Sequence, residues 1–334
     1  MQRNRHRGLI IGTVALAMMM VTTACGSASA AAGAASPRRA PSVASTAQVL
    51  QAVTAATSIT SVPSDLTPSV KNAEQDPYMT LLNQNGCDPA VTSSTVGKCV
   101  FGDPKGSKTI VLLGDQRAGM WFPGFDEMAK EAHWKLVVLM KTVCPAVDLS
   151  FWDWTTSSAY TACDQWHQYV TSRINKMDPA VVVFTSWWHG DGIVPGQPPS
   201  DSQWLFGLAE MLRSITSPGT KKVVWGDIAY LSQVGPTCLA ANAENVQACS
   251  TPASEAALAD HEQTLQAAAQ ATGALYVPTI PWLCSATCTA LIGKYGVYAD
   301  SSDITSDYAA YLQGAIAEAL QPVMGVAKRP RSSH

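Results

Sequence analysis

Three short stretches hold side chains able to do chemistry. The first is the turn Gly114-Asp115-Gln116-Arg117-Ala118-Gly119, directly after the apolar run from Thr109. It offers a carboxylate, an amide and a guanidinium in consecutive positions, but no hydroxyl or thiol. The second is Ser186-Trp187-Trp188-His189, where a hydroxyl and an imidazole three residues apart could act as nucleophile and base. The third is Asp300-Ser301-Ser302-Asp303. Asp115, Asp300 and Asp303 could crowd into a carboxylate cluster, either a glycosidase-like pair or a divalent-cation site. The simpler expectation is that Arg117 pairs with Asp303 as a structural ion pair. Trp187 and Trp188 could stack on a sugar ring or simply pack in the core.

The elements that must position these stretches follow from the apolar pattern. Thr109–Gly114, Trp134–Met140, Pro179–Trp187, Lys221–Asp227 and Gly273–Pro278 read as buried strands. Helical spacing recurs between them, over Met120–His133, Asp164–Met177, Gln203–Ile215 and Pro252–Ala271. Thr305 reads as the N-cap of a last helix, with Tyr308, Leu312, Ile316 and Ala319 on its inner face. Buried strands alternating with helices imply a three-layer α/β/α domain around a parallel, flavodoxin-like sheet. Ligands bind at the carboxyl ends of the strands in such sheets, which selects Gly114–Gly119, Thr185–Gly192 and Asp227.

The ends of the chain are built differently. Three arginines precede an apolar run from Leu9 to about Val21, as in a secretory signal peptide over residues 1–24. Cys25 follows at the cleavage point, where a lipoprotein cysteine would receive its lipid. Removing the three arginines moves the formal charge from −3 to −6. Residues 25–71 are rich in Ala, Ser, Thr and Pro and read as a flexible tether. Residues 72–322 hold all ten tryptophans and form the expected domain, and residues 323–334 a disordered basic tail. No basic patch with interleaved aromatics is present, which argues against nucleic-acid binding. The reading is of an exported monomer, anchored through Cys25 at the outer face of the cytoplasmic membrane or in the cell envelope, or otherwise secreted after cleavage near Ala28–Ala30 with Cys25 removed.

Beyond Cys25 the chain carries eight cysteines in four close pairs. In an exported protein these suggest disulfides, and the simplest pairing is Cys87–Cys99, Cys144–Cys163, Cys238–Cys249 and Cys284–Cys288. Zinc is the competing use, but Cys284 and Cys288 lack a second ligand pair at finger spacing. No metal or other cofactor is expected.

The motifs together resemble the SGNH, or GDSL-like, hydrolase family. GDPKGSKTIVLLGD (Gly102–Asp115) is similar to the family's lead-in to its nucleophile, and KTVCP (Lys141–Pro145) to its next block. The Cys238–Cys249 segment and PWLCSATCTALIGKYGVYADSSDITSDYA (Pro281–Ala309) resemble its closing part. The likeness is strongest to SGNH domains fused to, or partnered with, bacterial membrane acyltransferases that O-acylate surface glycans. The resemblance implies a serine at position 116, yet Gln116 stands there. It implies Asp-x-x-His near the C-terminus, where this chain keeps Asp300 but has Asp303 in place of the histidine. Arg117 takes the position that is usually histidine in those relatives. Losing triad members costs roughly 10⁴-fold or more. The resemblance therefore implies a pseudoenzyme that binds an envelope glycan or a membrane acyltransferase. The alternative is an active O-acyl esterase or acyltransferase using Ser186 and His189.

Overall fold

The computed structural model describes residues 43–74, 78–188 and 192–325. These residues build a six-stranded sheet of β1 (Val100–Gly102), β2 (Thr109–Gly114), β3 (Lys135–Met140), β4 (Val181–Thr185), β5 (Lys221–Trp225) and β6 (Leu275–Val277). The spatial order is β1-β3-β2-β4-β5-β6. β1 runs antiparallel to β3 and the other neighbours are parallel. The five parallel strands thus follow the flavodoxin-like 2-1-3-4-5 order, whose switch point lies between β2 and β4.

The sheet is apolar on both faces because helices cover both. Ile110 and Leu112 of β2 face one core, and Val111 and Leu113 face the other. The first core is closed by α1 (Thr46–Ala56), α2 (Gln116–Glu131), α6 (Ser306–Tyr311) and α7 (Gln313–Met324). The second is closed by α3 (Thr161–Met177), α4 (Asp201–Ser214) and α5 (Ala259–Thr272), through Trp166, Trp204 and Leu265. In the first core Trp121 meets Trp225 edge-to-face at 5.6 Å, and Phe125 meets the same ring at 5.0 Å.

Several expected boundaries shift. The tether expected over residues 25–71 is folded from residue 43 onward. Ser45 and Gln48 form a capping box at the start of α1, and Val49, Val53 and Ala56 of that helix are buried. The composition looked too poor for a core, yet three small apolar residues at helical spacing suffice to dock one helix. At the other end α7 continues to Met324, which is buried, two residues past the expected domain boundary. The helix expected over Pro252–Ala271 is broken: Thr251–Pro252 pairs with Thr287–Cys288, and Leu258 leaves helical geometry before α5 begins. The last helix forms behind the expected Thr305 cap, whose hydroxyl accepts from Tyr308 N–H, but it breaks at Leu312.

All four expected disulfides are present: Cys87–Cys99, Cys144–Cys163, Cys238–Cys249 and Cys284–Cys288. Among the described residues no helix is long and apolar enough to cross a membrane. The expected signal peptide, Cys25 and His189 lie outside the described residues, as do 326–334 of the expected basic tail.

Candidate functional site

The site lies where β2 ends and α2 begins. Gly114 makes the approach possible: a Cβ there would fall 1.8 Å from the Thr185 carbonyl oxygen of β4. Asp115 is the N-cap of α2 and is fully buried. One of its carboxylate oxygens accepts from Arg117 N–H at 2.9 Å and the other from Trp187 N–H at 2.8 Å. It therefore ties the turn after β2 to the turn after β4. Burial pushes its carboxyl up to about 7, with those two hydrogen bonds and the Arg117 charge pulling the other way.

Gln116 projects from the first turn of α2 and is half-buried. Its side-chain carbonyl accepts from Val143 N–H at 3.1 Å. Val143 sits at a φ of 53°, a conformation that a β-branched residue rarely adopts. The loop around it is held firmly. Thr142 donates its N–H and its hydroxyl to Asp88, at 2.9 and 2.7 Å. Lys141 is buried and donates to the carbonyls of Ala90, Val91 and Ser93, and burial lowers its ammonium to about 8. Cys144 is tied to Cys163.

Arg117 fills the centre of the site with only 1% of its surface exposed. Its Nε donates to Asp227 Oδ1 at 3.0 Å and its Nη2 to the Tyr230 hydroxyl at 2.8 Å. Nη1 donates to Asp303 Oδ1 at 2.5 Å and to the Ser302 carbonyl. Tyr230 in turn donates to the second oxygen of Asp227 at 3.0 Å. The guanidinium also lies 5.4 Å from the Tyr230 ring and 6.0 Å from that of Trp187. Its ion pairs with Asp227 and Asp303 hold it firmly charged although burial opposes the charge. Behind Asp227 stands Glu262, which accepts from Asp227 N–H at 2.9 Å and from the Tyr276 hydroxyl. Burial pushes the Glu262 carboxyl up to about 7.

The expected Arg117–Asp303 pair is present. The alternative, a carboxylate cluster, is not formed: the oxygens of Asp115, Asp300 and Asp303 do not all lie within 4.8 Å of one another. Each has its own partner. Asp300 accepts from Ser302 N–H and Asp303 N–H, at 2.6 and 2.7 Å, and so shapes the turn that presents Asp303. Among the described residues the one converging set of potential metal ligands is Cys144, Cys163 and His167, but both sulfurs are consumed in a disulfide. Ser186 accepts from Ala146 N–H at 2.8 Å, so its hydroxyl oxygen bridges the turn after β4 to the loop after β3. Trp188 stacks on His261 at 4.2 Å and meets Trp204 edge-to-face at 5.1 Å. It is half-buried and packs against the second core. Trp187 lies half-buried against Arg117.

Sequence reasoning selected Asp227 only as a strand end and missed Tyr230, Glu262 and Tyr276. The available signal for Asp227 was its type, an acid directly after a buried strand. Tyr230 carried none, because its role depends on where Arg117 points.

The family model describing an SGNH domain fused to AT3 domains matches residues 84–318, and the chain belongs to that family. Comparison with curated protein sequences finds no match. Among solved structures, the periplasmic domain of a lipopolysaccharide acetyltransferase from Salmonella ser. Paratyphi A is similar at 14% identity and a TM-score of 0.57. That match covers 75% of this chain and 97% of that one. A putative acylhydrolase from Bacteroides fragilis matches at 12% identity and a TM-score of 0.41, covering 66% and 90% of the two chains. A carbohydrate acetylesterase family member from Sinorhizobium meliloti matches at 9% identity and a TM-score of 0.43, covering 66% and 100%. At 14% identity the likeness to the acetyltransferase domain speaks for the fold alone.

Proposed function

We propose that this is a non-hydrolytic SGNH domain that works outside the cytoplasm, as a lipid-anchored accessory to a membrane acyltransferase acting on envelope glycans. It acts by binding, either to the glycan or to the acyltransferase. The observation that carries the reading is Arg117. Its buried guanidinium is held by Asp227, Asp303 and Tyr230, directly beside Gln116 at the position where the resemblance implies a nucleophilic serine, and it occupies Asp303 at the position where the resemblance implies the histidine base. Gln116 has no ionisable proton to give up, and its carbonyl is already engaged by Val143 N–H. Asp303 faces a cation, not a hydroxyl. The site is chemically self-satisfied, so acyl transfer through residue 116 has neither nucleophile nor base. The AT3 association of the family model supports an acyltransferase partner. The eight paired cysteines and the signal-like N-terminus support export.

A second reading keeps an O-acyl esterase or acyltransferase alive through Ser186, which is half-buried at the same strand ends and has a hydroxyl proton still to give up. Hydrolysis of an aryl acetate separates the two. Wild type is expected at the buffer rate. Hydrolysis above that rate overturns the proposal, and its loss in Ser186→Ala, but not in Gln116→Ala, would assign the reaction to Ser186.

A further inference from the structure

Trp187 and Trp188 are half-buried, one against Arg117 and the other against the second core, whereas a third tryptophan is presented openly. Trp154 is 50% exposed at the tip of a short hairpin, Trp152–Asp153 paired with Ser158–Ala159. Four sets of contacts fix the backbone of the hairpin. The Cys144–Cys163 disulfide closes its base. Asp153, itself buried, accepts from Thr155 N–H at 2.8 Å and from the Thr156 hydroxyl at 2.6 Å, fixing the turn that carries Trp154. Trp152 N–H donates to the Gly192 carbonyl at 2.8 Å, tying the hairpin to the loop after β4. Tyr160 N–H donates to the Phe151 carbonyl at 2.8 Å. An indole carried on such a turn contributes broad, flat contact area with only two side-chain torsions to order on binding.

The surroundings select the ligand chemistry. Residues 154–159 are all exposed, and beside the indole they offer the hydroxyl-bearing Thr155, Thr156, Ser157 and Ser158. Within residues 149–163 and 192–200 the single charged residue is Asp153, and it is buried. The charged residues that flank these stretches in sequence, Asp148, Asp164, Asp191 and Asp201, are all acidic. An anionic lipid surface or a polyanion needs Lys or Arg nearby, and none is present in these loops. A neutral ring with apolar C–H faces and equatorial hydroxyls fits an indole bordered by uncharged hydroxyls. The loops carrying Trp154 and Gly192 follow β3 and β4, so the surface stands at the same end of the sheet as Arg117.

We infer that the Trp154 hairpin is a binding surface for a neutral, uncharged polysaccharide, engaged by stacking on the Trp154 ring rather than in the filled site behind it. The inference rests on the binding role proposed above for its ligand class, but not on the absence of hydrolysis.

Native electrophoresis of the full chain through gels containing laminarin, galactan or mannan tests it, with dextran sulfate as the charged control. Retardation is expected in at least one neutral gel. Trp154→Ala should weaken it at least about 10-fold, while Trp154→Tyr should retain part of it. The inference is overturned if no neutral polysaccharide retards the chain or if Trp154→Ala binds as wild type does. It is equally overturned if Trp154-dependent binding goes only to dextran sulfate or to phosphatidylglycerol vesicles. Running the aryl acetate assay on the same samples keeps the two ideas apart. Hydrolysis with Trp154-dependent retardation sinks the non-hydrolytic reading alone, and silence in both assays sinks the hairpin surface alone.

Discussion

Replacing Arg117 by methionine keeps most of the side-chain stem and deletes the charge. The structure fixes what is left behind. Asp227, with a fully buried side chain, would retain only its hydrogen bonds from Ile228 N–H and the Tyr230 hydroxyl. Breaking a buried ion pair by removing one partner costs about 3–5 kcal/mol, because the remaining charge is uncompensated. Asp303→Asn is the matched control. Its side chain is 27% exposed, and Arg117 would keep Asp227, the Ser302 carbonyl and Tyr230. That variant should lose about 1 kcal/mol. The double variant Arg117→Met/Asp227→Asn should recover part of the loss, since it removes both charges. Urea unfolding followed by tryptophan fluorescence gives the three values, and the corresponding fall in Tm for Arg117→Met is about 6–20 °C. The reasoning is refuted if Arg117→Met lies within about 1 kcal/mol of wild type, or if Asp303→Asn proves the more damaging. Either result would mean that the guanidinium is not the charge balancing Asp227.

Other expected outcomes follow from the same geometry. Asp115 and Glu262 both titrate near 7 when folded, above the ordinary carboxylate values near 4. The folded state therefore holds the extra protons, and stability should fall as pH rises from about 4 to 7, by up to about 1.4 kcal/mol per pH unit for each group. Urea midpoints across that range check this, and Glu262→Gln should flatten the slope. Replacing Cys144 and Cys163 together by alanine opens a loop with a sequence separation of 19 and should cost about 3 kcal/mol. The same urea series would read this, with a further loss of any Trp154-dependent retention. A chain beginning at Asn72 lacks α1 and uncovers the surface that Val49 and Val53 bury, worth about 3–6 kcal/mol together. It should aggregate or bind a hydrophobic dye, whereas a chain beginning at Val43 should unfold cooperatively.

The sequence by itself determined the architecture. Thr109–Gly114 is apolar at every central position because helices cover both faces of a parallel sheet, and that pattern needs no knowledge of neighbours. It also determined the chemical deficit: Gln116 cannot be a nucleophile in any fold, and Asp303 cannot be an imidazole. Closely spaced cysteines paired as expected because short loops bring their partners together locally. Tertiary structure decided the rest. Whether residues 43–56 docked or trailed depended on a complementary groove formed by elements far along the chain, including α7, against which α1 packs. Which carboxylate would balance Arg117 depended on the end of β5, 110 residues away in sequence, and on Tyr230 behind it. Trp154, Trp187 and Trp188 read alike in the sequence, since an indole serves equally for packing, for cation contact or for display. Only the packing of α4 and α5 around Trp188, the guanidinium beside Trp187 and the disulfide-closed turn beneath Trp154 gave each a different fate.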